Sequence, residues 1–374
     1  MKTVYINGKF SAQRSTGVQR LALGLIQAID EELSATDNKD RWILVCPPDA
    51  NPPLLNRIEV VFSGPRFMGL HFWEQFFLPI YTAGQTLLNL AGPAPLMKHR
   101  QACMLPDAAV FDYPEAYTKP FGAWYRFSFT VMSRSARLLL TISEFSKCQL
   151  ILALGNVAER VKVVYCAAGH IDKVTPDTTI IDSLGLAHSS YLLAVGSINP
   201  TKNLSALIAA FGMIEDPNVK LVIVGADNTA VFARQSLFKG GDSRIISTGA
   251  IDDPQLSALY RNALAFVFPS LYEGFGLPPL EAMLLGCPVV AARAASIPEV
   301  CNDAAIYFDP NSLSDMKKTL EYILMDAELR ELLRQRGLLR AHYFTWQCSA
   351  KLLLRYIADA GLSSKDSLTS AFSD

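Results

Sequence analysis

Four short runs constrain this chain most, because they are apolar at every position: LLAV from Leu192, LVIV from Leu221, AFVF from Ala265 and VVAA from Val289. A strand with one wet face alternates polar and apolar residues. A strand with no polar position needs cover on both faces, which parallel sheets with crossover helices supply. The spacing predicts six strands in this half, at Tyr191–Val195, Lys220–Val224, Arg244–Thr248, Ala265–Phe268, Pro288–Ala292 and Ala305–Phe308. The same alternation runs through the first half, with strands at Val4–Ile6, Trp42–Cys46, Val60–Phe62, Leu138–Ile142 and Lys162–Cys166. A helix over Val18–Glu32 places Leu21, Leu25, Ile26 and Ile29 on one face, with Ser15 or Thr16 as cap. The looser stretch Ile171–Ser190 reads as a linker, and a last helix runs from Thr345 to about Ala360 before a polar, frayed tail.

A chain of 374 residues is too long for one core and divides into two α/β domains. The expected boundaries are 1–178, 179–345 and a C-terminal helix and tail at 346–374. Two such domains facing each other leave a cleft, and parallel sheets bind ligands beyond the carboxyl ends of their strands.

Charge excludes some classes of partner. The net charge is −1, unlike the basic domains that hold nucleic acid. Residues 1–150 carry 15 Lys and Arg against 12 Asp and Glu, and the remainder 19 against 23, so only the first half leans towards an anionic surface. The seven cysteines form no C-x-x-C pair, and an odd count suits a reduced, cytoplasmic compartment. Gln75–Met97 carries no charge but holds three prolines. Buried strand, loop and helix is the better reading there than a membrane span.

Chemistry concentrates in FPSLYEGFGLPPLEAMLLGCPVV, residues 268–290. A buried strand ends at Pro269, a loop carries Glu273, Gly274 and Gly276, and a helix starts at Pro278 or Pro279. Glycines allow close backbone approach and a helix N-terminus favours an anion; together they suit a pyrophosphate. Glu273 and Glu281 flank that anion, where carboxylates accept hydrogen bonds from sugar hydroxyls. In VGSINPTKNL, Lys202 stands just beyond another strand and at a helix start, so its ammonium and the helix dipole point at one anion.

EGFGLPPLE closely resembles the E-x7-E motif of family 4 retaining glycosyltransferases with the GT-B fold. The likeness extends through GCPVVAARAASIPEV, AAIYFDP and FTW, and back through VGSINPTKNL. It implies two Rossmann-like domains, a nucleoside-diphosphate sugar held mainly by the second, and retention of anomeric configuration, with no cofactor and no metal. On this likeness Glu273 contacts the donor sugar and Glu281 the ribose hydroxyls. Backbone amides of Gly274, Phe275, Gly276 and Leu277 meet sugar and phosphate, and Lys202 meets the diphosphate. The family often has an arginine shortly before that lysine; here Ser197 and Thr201 stand there, which leaves a role for Lys202 alone or for Arg293.

The first half matches more loosely. SAQRSTGVQRLALGL resembles the family's first glycine loop, with Gly17 near the acceptor side, though an ordinary capped helix start reads the same way. WEQFFLP and PDAAVFDYPEAYTKPFGAWYRF resemble bacterial polysaccharide transferases in which this region reads His-Asp. Asp107 is kept, Pro106 replaces the histidine, and His71, His99 and His170 are the available substitutes. Lys119, Arg126, Arg134, Arg137 and Lys147, interleaved with Phe121, Trp124, Tyr125, Phe127 and Phe129, read either as a lipid-facing surface or as a helix with aromatics in the core.

No D-x-D triplet, Walker loop or G-x-G-x-x-G occurs. The expected function is hexosyl transfer from GDP-mannose, or a UDP-hexose, to a glycan or polyprenyl-linked acceptor, in the cytoplasm or at the inner face of the membrane. Two rivals stand beside it: a UDP-sugar epimerase of the same fold, and a non-catalytic scaffold.

Overall fold

The computed structural model describes residues 1–14, 16–155, 157, 160–197, 199–225 and 242–364. The chain divides into two compact units, Met1–Cys166 together with the segment from Thr345, and Ala167–Phe344. The expected boundaries lie instead at 178 and 345, with the C-terminal helix apart from both domains. That helix, Trp346–Asp359, packs on Gly17–Ala35 of the first unit. Gly24 makes the crossing possible: a Cβ there would lie 2.4 Å from the Trp346 ring. Thr345 caps the helix by accepting the Cys348 amide.

The first unit holds seven parallel strands: β1 (Thr3–Asn7), β2 (Arg41–Cys46), β3 (Glu59–Phe62), β4 (Thr86–Asn89), β5 (Gln101–Met104), β6 (Leu138–Thr141) and β7 (Val161–Val163). Their order is β3-β2-β1-β4-β5-β6-β7. The second unit holds β8 (Ser190–Val195), β9 (Val219–Val224), β10 (Ile245–Gly249), β11 (Ala265–Phe268), β12 (Val289–Ala292) and β13 (Ala305–Phe308), in the order β10-β9-β8-β11-β12-β13. In each sheet the chain builds outward on one side of its first strand, then returns to build on the other. The reversal falls between β1 and β4 in one unit and between β8 and β11 in the other, and crevices at such reversals are where these sheets bind ligands. All residues of β11 and β12 are buried, as unbroken apolar runs require.

Three expectations need correction. Gln75–Met97 is not strand, loop and helix in that order. A π-helical turn (Trp73–Phe77) and a helical turn (Leu78–Tyr81) precede β4, and a loop follows. The strand expected in that stretch, β4, thus follows the helical turns instead of preceding them, and β5 was not expected, because QACM is too short and too polar to stand out. The supposed linker carries a short helix, Thr179–Ser183. Among the described residues no helix is long and apolar enough to cross a membrane. Ser15, Ile198 and the tail from 365 lie outside the described residues.

Candidate functional site

In the second unit the loops that follow β8 and β11 meet at the reversal. After β8 the chain turns through Pro200–Lys202, where the Asn199 side chain accepts the Thr201 amide at 3.0 Å. Asn203 follows in the left-handed region (φ 53°), and the helix Leu204–Gly212 begins. The Leu271 amide donates to Thr201 O at 2.7 Å, stitching the two loops together. That stitch brings residues far apart in sequence into contact: Lys202 Nζ lies 2.5 Å from Glu273 Oε1. The ammonium also sits 5.8 Å from the centre of the Phe268 ring, a cation–π contact. Both partners keep some access to solvent, at 24% and 14% exposure, so an incoming anion can compete for the lysine.

The loop from Glu273 to Gly276 is held from below. Ser296 Oγ lies 2.8 Å from both the Glu273 and the Phe275 carbonyl oxygens. The Phe275 ring is buried edge-on against Phe344, which agrees with an expected role for its backbone and not its side chain. Gly276 has φ +106°, a conformation that side chains resist. The helix Leu277–Leu284 starts one residue before the expected prolines, with Pro278 in its first turn. Pro278 and Pro279 carry no N–H, and the Leu280 amide donates to Gly276 O at 3.5 Å, so Leu277 has the one N–H of the first three helical residues; the helix carries partial positive charge at this end.

Glu281, four residues into that helix, is 5% exposed. Its Oε2 accepts the Tyr260 hydroxyl at 3.2 Å, and its Oε1 lies 3.2 Å from His170 Nε2. Tyr260 was missed from the sequence, since nothing around SALYRN marks a functional tyrosine. His170 was considered as a replacement for an imidazole near position 106; it stands here in the second unit instead. Arg293 stacks its guanidinium over the Tyr307 ring at 4.6 Å. Ser197 is exposed in the loop after β8.

The first unit has a matching crevice at its own reversal, a cavity of about 280 Å³. Lys9, just after β1, and Ala91 and Gly92, just after β4, line it, with Pro106 and Asp107 from the segment after β5. Thr16 and Val18, on either side of Gly17, also line it. A Cβ at Gly17 would meet nothing within 4 Å, so packing does not require the glycine. Asp107 Oδ1 accepts the Ala109 amide at 2.8 Å. His71 is the one histidine among the lining residues. Burial, and then the charge of Lys9, hold its pKa below the usual imidazole value.

Lys9 is itself buried, and its Nζ lies 2.5 Å from Glu74 Oε2. Asn7 Nδ2 donates to Glu74 Oε1 and to Asn89 Oδ1, both at 3.0 Å. A cation and a carboxylate inside apolar flanks (INGKF and FWEQF) are the signal that the sequence reading passed over. The aromatic segment divides by helical phase. Phe129 enters the core, Tyr117, Phe121 and Tyr125 line the cavity, and Phe127 is exposed. The Arg126 guanidinium turns back onto Val110 O at 2.9 Å.

Glycosyl transferases group 1 matches residues 177–340, a span that contains the second-unit site residues described above except His170 and Phe344. O-antigen chain mannosyltransferase B of Escherichia coli is 31% identical over 259 residues, covering 67% of this chain and 68% of that protein. Serotype-specific mannosyltransferase WbdA, also from Escherichia coli, is 28% identical over 233 residues, 60% of this chain. The match takes up only 28% of that longer relative. Among solved structures, sucrose-phosphate synthase from Thermosynechococcus elongatus superposes with a TM-score of 0.72 at 18% identity, covering 96% of this chain and 99% of that one. Anabaena HepE, solved with UDP and glucose, gives 0.68 at 18% identity, with 96% and 99% covered. At such identities the structural likeness speaks for the fold, which is GT-B. With the group 1 match and the 31% identical relative, the conclusion is that this chain belongs to the glycosyl transferases group 1 family and is a hexosyltransferase.

Proposed function

We propose that this enzyme transfers a mannosyl group, with retention, from a nucleoside-diphosphate mannose (GDP-mannose first) to a growing surface glycan. The observation that carries the reading is the Lys202–Glu273 pair at the reversal of the second sheet, beside a helix N-terminus. Relatives named as O-antigen mannosyltransferases supply the sugar. In this reading the donor diphosphate takes the Lys202 ammonium and the amides of Gly274–Leu277. Glu273, released from the lysine, accepts hydroxyls of the mannosyl ring. The anomeric C–O bond to phosphate breaks as the bond to the acceptor oxygen forms on the same face. The acceptor proton passes to the departing diphosphate, leaving nucleoside diphosphate and the lengthened glycan. Charge on the leaving group is met by donors already in place, the arrangement that lowers such barriers most. The test is transfer from GDP-, UDP- and dTDP-sugars to an α-mannoside, with and without EDTA. Transfer from GDP-mannose that survives EDTA is expected; activity lost to EDTA and restored by manganese would overturn the metal-free part.

Glu281 has a separable role in the same reading. With Tyr260 and His170 fixing both its oxygens, it is set to grip the ribose hydroxyls equally before and during reaction. Glu281→Gln should therefore raise KM for the donor with little change in kcat, and Tyr260→Phe should do the same more weakly. A fall in kcat at unchanged KM would place Glu281 at the reacting sugar instead.

Contact with an anionic membrane surface belongs to the proposal too. Phe72, Phe76 and Ile80 stand exposed at four-residue spacing, and Trp124 shares an apolar groove with Phe72 and Phe76. Exposed apolar stripes of this kind mark interaction sites. The chain should co-sediment with phosphatidylglycerol vesicles, and Phe72→Ser/Phe76→Ser should reduce that binding; equal binding by the variant would remove the stripe from the account.

A further inference from the structure

The edge of the first sheet opposite the crevice carries charge that sugar transfer does not use. Parallel strands all start at one edge, and here most starts are marked by a cation. In spatial order Arg41 opens β2, Lys2 precedes β1, Thr86 opens β4, and Arg100, Arg137 and Arg160 precede β5, β6 and β7. Neighbouring strands lie about 4.8 Å apart, so these residues form a row. Arg41 is answered by Glu59 at 2.6 Å. Arg160 turns its two terminal nitrogens onto the Ala136 and Ser133 carbonyls, at 2.9 and 2.5 Å. Arg100 and Arg137 are neighbours in the row, and neither has a carboxylate in ion-pair contact among the described residues.

The same two guanidiniums flank one piece of backbone, the segment after the C-terminal helix. A Cβ at Gly361 would lie 3.2 Å from Arg137 Nη2. Arg100 Nε donates to Thr86 Oγ1 at 3.1 Å, and that hydroxyl donates to Leu362 O at 2.6 Å. Lys2 Nζ donates to the Gly361 and Ser363 carbonyls at 3.0 and 2.9 Å. Asp40 beside it accepts the Lys2 amide and the Ser364 amide and hydroxyl, and its charge offsets that of Lys2. Two positive charges are left over. Lys98 adds to them: its buried ammonium donates to Thr82 O at 2.8 Å. Burial, and then the charge of Arg100, push that ammonium down to about 8. Like charges gathered in this way are stabilised by an anion placed among them.

We propose that Arg100 and Arg137 form a phosphoryl-binding site at this edge, apart from both the donor loops and the crevice. Two planar forks on adjacent strands suit the oxygens of one phosphate or diphosphate group, which accept paired hydrogen bonds from arginine. Arg137 is exposed and Arg100 half-buried, so a ligand meets the first and reaches in to the second. The phosphoryl group is the chemistry recognised, whether a free anion or a lipid headgroup carries it. The site rests on no part of the transfer mechanism.

Calorimetry with inorganic pyrophosphate tests it, on the full chain carrying Lys202→Ala so that the lysine of the second unit takes no part. One pyrophosphate should bind. Adding Arg137→Gln should weaken it by about tenfold or more, the scale of one hydrogen bond between charged groups. That side chain makes no hydrogen bond within the fold among the described residues, so the variant should fold, as circular dichroism will show. Arg100→Gln should act likewise. Lys162→Gln, which removes an exposed cation on β7, should change nothing. No pyrophosphate binding, binding that ignores Arg137→Gln, or an equal loss with Lys162→Gln would overturn the site. Phosphatidylglycerol vesicles separate the two sources. If Arg137→Gln weakens pyrophosphate and leaves vesicle binding intact, the ligand is a free anion; if both fall, the site takes a headgroup as well.

Discussion

Lys202→Ala should lower kcat by roughly 10²–10³, the scale of one lost donor at a site of developing negative charge. The position of the ammonium sets the size of this effect. The ammonium is held by Glu273 at 2.5 Å and by the Phe268 ring, and the helix Leu277–Leu284 begins four residues after that glutamate. A diphosphate that leaves with its charge growing gains more from this lysine in the transition state than in the ground state, so kcat falls more than KM rises. Glu273→Gln should also cost kcat, and more than Glu281→Gln does, because it removes both the sugar contact and the group that aims the lysine. Residues that touch are not additive. The double variant Lys202→Ala/Glu273→Gln should therefore be much less impaired than the product of the two single losses. Steady-state kinetics with GDP-mannose, on variants shown to be folded by circular dichroism, reads all of this. Near-normal turnover in both single variants would move the donor site elsewhere.

The second sheet was legible because the cores of β8, β9, β11 and β12 are buried on both faces and carry no polar residue to blur the pattern. The site motif was legible for a related reason. Gly276 has to be glycine at φ +106°, and the prolines have to fall in the first turn of the helix, so geometry writes itself into residue type there. Pairwise contacts were not legible. Nothing in the sequence places Lys202 against Glu273, since the stitch is a backbone bond from Leu271 to Thr201 O that any residue pair could make. Tyr260 was invisible for the same reason: it reads as one more core aromatic until its hydroxyl is seen on Glu281. In the first unit β4 was not located and β5 was missed, because Asn89 and Gln101 break the apolar run. Those two side chains bond to each other at 3.0 Å, and Asn89 also accepts from Asn7. The polar residues that hide these strands thus belong to the network beneath the crevice.

That network makes a second large effect measurable. Lys9→Met should destabilise the protein by about 3–5 kcal/mol near pH 8, the cost of stranding one member of a buried ion pair. The cost should shrink on acidification, and the sign can be worked out. Burial already pushes the Glu74 carboxyl above its usual value, with Lys9 the largest opposing influence. Removing Lys9 lets that pKa rise further. A carboxyl whose folded pKa is raised binds its proton more readily folded than unfolded. The stability this gives is full below the unfolded value near 4.5 and is lost as pH climbs through the folded value. The variant should therefore approach wild-type stability at about pH 4.5–5 and fall behind it steadily towards pH 8. Lys9→Met/Glu74→Gln should recover most of the loss at pH 8, because glutamine carries no charge to strand and still offers Asn7 an acceptor. Urea unfolding at pH 5 and pH 8 distinguishes the cases. If Lys9→Met costs the same at both pH values, or the double variant is no better than the single, Glu74 is not the charge that Lys9 neutralises.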